Sequence, residues 1–164
     1  MATIMIIDGY NALNSHPKGK RALGRSLSEA RSFLIGICGE FASERQDVRG
    51  IKLYFDGDDR YRDDSRADLF PGVEVIFSST DTCDEEMIEA AREWSPIGDV
   101  IVVTDDNYVR NRTRGHASLM RPVRLFERRR KRRSVRKVLK NKKVIKEEIR
   151  KDINREYGER LGLG

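Results

Sequence analysis

The sequence predicts an α/β fold built on a mainly parallel sheet, and three observations carry that prediction. Short continuous apolar runs, at Ile4–Ile7, Leu53–Phe55 and Val100–Val103, read as strands buried on both faces. Segments with helical apolar spacing stand between them. Each run also stops at an acid: Asp8, Asp56 and Asp105. A doubly buried strand cannot hold a charge along its length, so each aspartate belongs at a carboxyl end. Open α/β sheets place their ligand crevice there.

The first strand is Ile4-Met5-Ile6-Ile7, followed by Asp8-Gly9-Tyr10-Asn11. Gly9 lets the backbone turn, and Asn11 adds a second oxygen ligand or an amide donor. By spacing alone, Asp8 serves equally well as the cap of a turn. Asn14 to Arg25 reads as a polar, basic loop, with Lys18, Lys20, Arg21 and Arg25 among Ser, Pro and Gly. Ser26 and Glu29 form an S-x-x-E capping signature that opens a helix ending near Arg45. Leu27, Ala30, Leu34, Ile37, Cys38 and Phe41 share its apolar face.

Ile51–Phe55 is the second strand, and its Asp56-Gly57 reads first as a turn opening. Residues 58–70 are dense in charge and poor in apolar groups, which predicts a mobile loop. Val73–Phe77 is the third strand. Thr82 and Glu85 form a second capping signature for a helix carrying Ile88, Ala91 and Trp94. Asp84 and Glu85 could serve only that helix start. One acid suffices for the purpose, however, and the segment supplies Asp81, Asp84, Glu85 and Glu86. Asp99–Val103 is the fourth strand, with Thr104-Asp105-Asp106 at its end and a short helix from Asn107 to about Gly115. Met120–Phe126 reads as a final strand, with Pro122 at its start or edge.

Charge divides the chain. Residues 121–164 hold 18 Lys and Arg against 6 Asp and Glu, a net +12, whereas residues 1–120 hold 15 against 21, a net −6. The reading is a domain at 1–126 and a basic helical extension at 127–164. The extension opens with Arg128-Arg129-Arg130-Lys131-Arg132-Arg133, six cations that gain most when phosphates neutralise them. Beyond them Ile145, Ile149, Ile153, Tyr157 and Leu161 recur every four residues. That stripe would dock on the domain itself, on another protein or on a second copy.

No apolar run reaches membrane-spanning length, and no signal peptide is recognisable, so a cytoplasmic protein without a membrane partner is expected. Two distant cysteines, Cys38 and Cys83, argue against a zinc site or disulfide framework. Carboxylates gathered at one sheet edge repel unless a cation joins them. Oxygen ligands without His or Cys favour Mg²⁺ or Mn²⁺. An acidic crevice with a basic extension therefore points to metal-assisted phosphodiester cleavage, with RNA as partner. The same chemistry would serve DNA.

The residues resemble a known family. Ile6-Ile7-Asp8-Gly9-Tyr10-Asn11 resembles the opening of NYN domains, which belong to the PIN-like ribonucleases. Leu53–Gly57, Val75–Ser78, Thr82–Ile88 and Val102–Asp106 follow in the order of the YacP-like branch. The resemblance covers residues 1 to about 126. It implies a PIN-like three-layer sandwich and Mg²⁺-dependent endonucleolytic RNA cleavage leaving 5′-phosphate and 3′-hydroxyl ends; a ribosomal context is one setting in which the RNA partner could be met. Carried over by position, Asp8, Asp84 and Asp106 would hold the metal, and Asn11 would orient water or a carboxylate. Arg110 would touch a phosphate. Cys83 replaces the usual small residue before the second key aspartate. The family's Thr-Ser-Asp is Thr104-Asp105-Asp106 here, which makes Asp105 a rival ligand, and Glu85 and Asp81 are further candidates. Neither His16 nor His116 fits a motif; both read as surface residues.

Two other classes compete. A non-catalytic RNA- or ribosome-binding module with a vestigial acidic crevice would depend on the basic extension alone. A phosphatase of the haloacid dehalogenase type needs Asp-x-Asp after the first strand, where this chain has Asp8-Gly9-Tyr10.

Overall fold

A computed structural model describes residues 2–57, 70–79 and 82–127. The chain divides into two units, Met1–Phe126 and Glu127–Gly164. The sequence readings of the 58–69 loop, of Asp81 and of the basic extension from Arg128 onward fall outside the described residues.

Five strands form one parallel sheet: β1 (Thr3–Asp8), β2 (Val48–Asp56), β3 (Val73–Ser78), β4 (Asp99–Val103) and β5 (Ser118–Met120), in the order β3-β2-β1-β4-β5. Chain order runs outward from β1 in both directions, so the switch point lies between β1 and β4. Such a point leaves a crevice at the strands' carboxyl ends.

The alternation of side chains along β1 explains its unbroken apolar run. Met5 and Ile7 enter one core with α3 (Leu27–Glu44), while Ile6 enters the other with α4 (Cys83–Trp94) and Val109 of α5 (Asn107–Thr113). All three β1 side chains are fully buried. A strand between two helical layers needs no polar face. The three-layer α/β sandwich read from the sequence is therefore the observed architecture.

Several local expectations are corrected. Asn14 to Arg25 is not a loop: α1 (Gly9–Asn14) precedes it and α2 (Pro17–Leu23) fills most of it. Pro17 sits at the start of α2, where its missing N–H costs nothing, and the His16 imidazole accepts from the Lys18 N–H at 3.2 Å. Residues 121–127 are not a strand either. Pairing stops at Met120, and 123–127 are helical after a turn in which Leu125 N–H donates to the Pro122 carbonyl. Pro122, Leu125 and Phe126 are buried, the i, i+3, i+4 spacing of a helix and not the alternation of a strand. Phe126 then stacks on His16, with ring centroids 4.4 Å apart, so His16 joins the packing and is not a bare surface residue.

The first capping signature forms in part. Ser26 Oγ accepts from Glu29 N–H at 3.0 Å, but the Glu29 carboxylate pairs with Arg25. Leu27, expected in the core, is 47% exposed. The second signature does not form. Thr82 makes no side-chain cap; its hydroxyl donates to Glu86 at 2.9 Å and contacts Ser79 Oγ at 2.7 Å.

Candidate active site

The site begins at the carboxyl end of β1. Asp8 is half-buried and is the N-cap of α1, its Oδ1 accepting from Asn11 N–H at 3.2 Å. Its Oδ2 accepts from Thr104 Oγ1 at 3.3 Å. The capping reading and the site reading of Asp8 are thus compatible, one oxygen serving each. Gly9 does not have positive φ. It is required for room: a Cβ would lie 2.3 Å from the Phe55 ring and 2.7 Å from the Tyr54 carbonyl.

Register brings β4 to the same place. Ile7 pairs with Val103, so Thr104 emerges beside Asp8. Thr104 is fully buried, and its hydroxyl also accepts from Asp106 N–H at 3.0 Å. Asn11 Oδ1 accepts from Asp105 N–H at 2.8 Å. Two side chains thereby tie the ends of β1 and β4 together. Thr104 was not singled out by the sequence reading, because an isolated threonine before two acids carries no signal of its own.

The two neighbouring aspartates differ in placement. Asp106 caps α5, its Oδ1 accepting from Tyr108 N–H at 2.7 Å, and its charge acts on Asp84. Asp105 turns to Arg121, with Nε–Oδ1 at 3.1 Å. Arg110 donates to the Thr104 carbonyl at 3.0 Å, which fixes α5 to the end of β4.

The acids at the start of α4 are sorted in the same way. Glu86 accepts from Ser78 and Thr82 and holds the β3–α4 turn. Glu85 accepts from the Tyr108 hydroxyl. Asp84 makes no hydrogen bond or ion pair among the described residues.

Charge couples several of these groups. Burial pushes the Asp8 carboxyl up to about 6; the Asn11 N–H opposes this, Asp84 adds to it, Thr104 opposes it, and Asp56 adds to it. Asp84 is also raised, first by burial and then by Asp106, Asp56 and Glu85. Asp56, read from sequence as a turn residue, is exposed and acts on Asp8 and Asp84 through its charge alone, while the positive φ of Gly57 (132°) confirms the turn. Cys83 is a core thiol, pushed up to about 12 mainly by burial.

One motif residue is structural. Tyr10 packs edge-on against Phe55 at 5.1 Å, and its hydroxyl accepts from Arg31 at 2.7 Å. Arg31 is buried beside the Tyr10, Phe55 and Phe77 rings. A charged residue on the apolar side of a helix was the one available sequence signal for it.

The model of the YacP-like NYN domain matches residues 5–162. The chain belongs to the YacP-like NYN family. The match runs well past residue 126, so the family pattern extends into the basic segment that the motif resemblance left out. A crystal structure of a point mutant of Rae1 (YacP) from Bacillus subtilis is 28% identical, with a TM-score of 0.64 over 85% of this chain and 84% of that one. A second crystal structure of Rae1 (YacP) from Bacillus subtilis is 25% identical, with a TM-score of 0.58 over 94% and 91%. No curated protein matches. NYN domains are a branch of the PIN-like nucleases, so the family scaffold is a nuclease scaffold. Among the described residues no helix is long and apolar enough to cross a membrane.

Proposed function

We propose that the chain is a metal-dependent endoribonuclease, with Asp8, Asp84 and Asp106 as the acids of its active site. The observation that carries this reading is the electrostatic linkage of Asp8 to Asp84 and of Asp84 to Asp106 at the switch point of the sheet. Three carboxylates from three separate elements raise one another's affinity for positive charge, and family membership supports the same conclusion.

The donor set suits a hard divalent cation. No three His, Cys, Asp or Glu side chains among the described residues are grouped closely enough to form a metal cage. Mg²⁺ keeps several of its own waters and uses one or two carboxylates, so acids that share a field without converging fit such an ion. Asp8, Asp84 and Asp106 would hold Mg²⁺ or Mn²⁺, one or two of them directly and the rest through the ion's own waters. Bound there, the ion would supply an activated water and offset charge on a phosphoryl oxygen. Asp105 is the weaker candidate because Arg121 occupies it.

The chain's own residues do the positioning. Thr104 fixes Asp8 and the Asp106 backbone to one hydroxyl. Asn11 accepts the Asp105 N–H with its carbonyl oxygen and so sets the Thr104–Asp106 turn, and its side-chain amide would orient water or a carboxylate. Arg110 keeps α5 in register with β4, and its remaining N–H groups could meet a phosphate. Arg128, Arg129, Arg130, Lys131, Arg132 and Arg133 would add sequence-independent attraction for RNA, free or presented on a ribosome.

One rival reading is a non-catalytic RNA-binding module that would depend on the basic run from Arg128 to Arg133. Cleavage of a 5′-labelled single-stranded RNA separates the two. Internal cuts that require Mg²⁺ or Mn²⁺, stop with EDTA and vanish in Asp8→Asn are expected. Binding without metal-dependent cuts, on single-stranded, structured and ribosome-bound RNA alike, would establish the binding module.

A further inference from the structure

Tyr108 is an exposed aromatic at the rim of the acidic crevice. Three large apolar side chains are exposed among the described residues, and Tyr108, at 43%, is the one aromatic ring in that set, with Leu27 and Ile97. The ring is held from several sides. Its backbone N–H donates to Asp106 Oδ1 at 2.7 Å, and its hydroxyl donates to Glu85. The Arg112 guanidinium lies over it, 4.8 Å from the centroid. Arg112 stands over one face, so a stacking base would use the opposite one.

A solvent-facing aromatic fixed at its main chain, its hydroxyl and one face has lost its rotamer freedom before any ligand arrives. Such preorganisation lowers the ordering cost of binding. The charge around it is informative too. The acids Asp84, Glu85 and Asp106 repel a phosphate, whereas Arg112 and Arg110, in the last turn of α5, attract one. A nucleotide whose base lies on the ring and whose phosphate lies toward the arginines satisfies both.

We infer that Tyr108 is a base-stacking platform that holds one unpaired nucleobase of a single-stranded RNA beside the acidic crevice, with Arg112 as its backing cation. This rests on the nuclease reading for its substrate but not for its test. Stacking on an aromatic ring accepts every base, because every base has a π face. It requires the base to be unpaired, so the platform selects single strands over duplexes without reading sequence. Glu85 orients the ring and is thereby a positioning residue. Tyr108 is a substrate-binding residue and takes no part in proton transfer.

The test uses the full chain carrying Asp8→Asn, with short single-stranded oligoribonucleotides in which 2-aminopurine is walked along the strand. One position should be quenched on binding. Tyr108→Ala should abolish that quench and weaken binding roughly tenfold. Tyr108→Phe, which keeps the ring and loses the hydroxyl, should keep the quench. An abasic nucleotide at the quenched position should weaken binding to the Tyr108-containing chain and leave binding to Tyr108→Ala unchanged. Unchanged affinity and quenching in Tyr108→Ala would overturn the inference. So would a loss in Tyr108→Phe equal to that in Tyr108→Ala, which would make Tyr108 only a staple between α4 and α5. Absence of RNA binding would overturn it together with the nuclease reading. Metal-dependent cleavage by the chain with native Asp8, without a Tyr108-dependent quench, would sink the platform alone. The quench without cleavage would sink the nuclease alone.

Discussion

The same dipeptide ends two neighbouring strands and meets two different fates. Asp8-Gly9 closes β1 and Asp56-Gly57 closes β2, each after an apolar run. Asp8 is half-buried, accepts two hydrogen bonds and is pushed up to about 6. Asp56 is exposed, and its charge reaches the site from outside. Gly9 is needed for lack of space, whereas Gly57 has no atom within 4 Å of a built Cβ but has φ of 132°. The difference is topological. β1 is central and is flanked by β4, after which Thr104 donates to Asp8; Asp56 of β2 is in register with Ser78 of β3, but the Ser78 hydroxyl donates to Glu86 instead. Chemistry at a strand end therefore depends on which strand pairs beside it.

Substitutions sharpen this contrast, and the largest effect falls on catalysis. Asp8→Asn should lower metal-dependent RNA cleavage on the order of 100- to 1,000-fold. Asp56→Asn, removing a screened outer charge, should lower it by only about two- to tenfold. Equal losses in initial-rate assays would erase the distinction between the two aspartates.

Next come the glycines. Gly9→Ala forces a methyl into the Phe55 ring and the Tyr54 carbonyl and should cost about 3 kcal/mol in urea unfolding. Phe55→Leu should recover part of that loss. Gly57→Ala should cost about 1–3 kcal/mol of backbone strain, and Phe55→Leu should recover none of it.

Proton linkage gives a third effect. The folded-state value of Asp8 lies above its ordinary 3.8, so the native state holds this proton more tightly than the unfolded state. The stability it contributes is complete below about pH 4 and is lost as pH rises through about 6. Asp8→Asn should therefore be more stable than the native chain by about 1–2 kcal/mol at pH 8, with the gap closing toward pH 4. A gap independent of pH in urea melts would show that Asp8 is not the group responsible.

The smallest effect concerns Thr104→Val. It keeps the shape and removes the hydroxyl shared by Asp8 and the Asp106 N–H. A cost of about 1–2 kcal/mol is expected. Since the Thr104 bond lowers the Asp8 pKa, the protonation midpoint of Asp8 should move upward in a carboxyl-resolved NMR titration. An unmoved midpoint would remove Thr104 from the site.

Much of the architecture was legible because burial on both faces leaves an unbroken apolar run, as in Met5, Ile6 and Ile7. The helices α1 and α2 were not legible: apart from Leu13, their buried residues are small, Gly9, Ala12, Gly19 and Ala22, which resemble loop composition. The segment from Pro122 onward misled because Val123-Arg124-Leu125 alternates like a strand, although burial follows Pro122, Leu125 and Phe126. In the site, the strand-end acids stood out in sequence as charges after apolar runs. Their division of labour did not. That Glu86 holds a turn, Glu85 holds Tyr108 and Asp105 pairs with Arg121 depends on partners 8, 23 and 16 residues away.

The central claim is that Asp8, Asp84 and Asp106 form one cation site at the β1–β4 switch point. Mn²⁺ binding to the full chain, followed by electron paramagnetic resonance at pH 7, tests it most directly. Saturable binding should be lost in Asp8→Asn, Asp84→Asn and Asp106→Asn and retained in Asp105→Asn, and it should weaken at pH 5 as protons compete for Asp8. Binding of equal strength in all four variants would place the ion elsewhere and contradict the account.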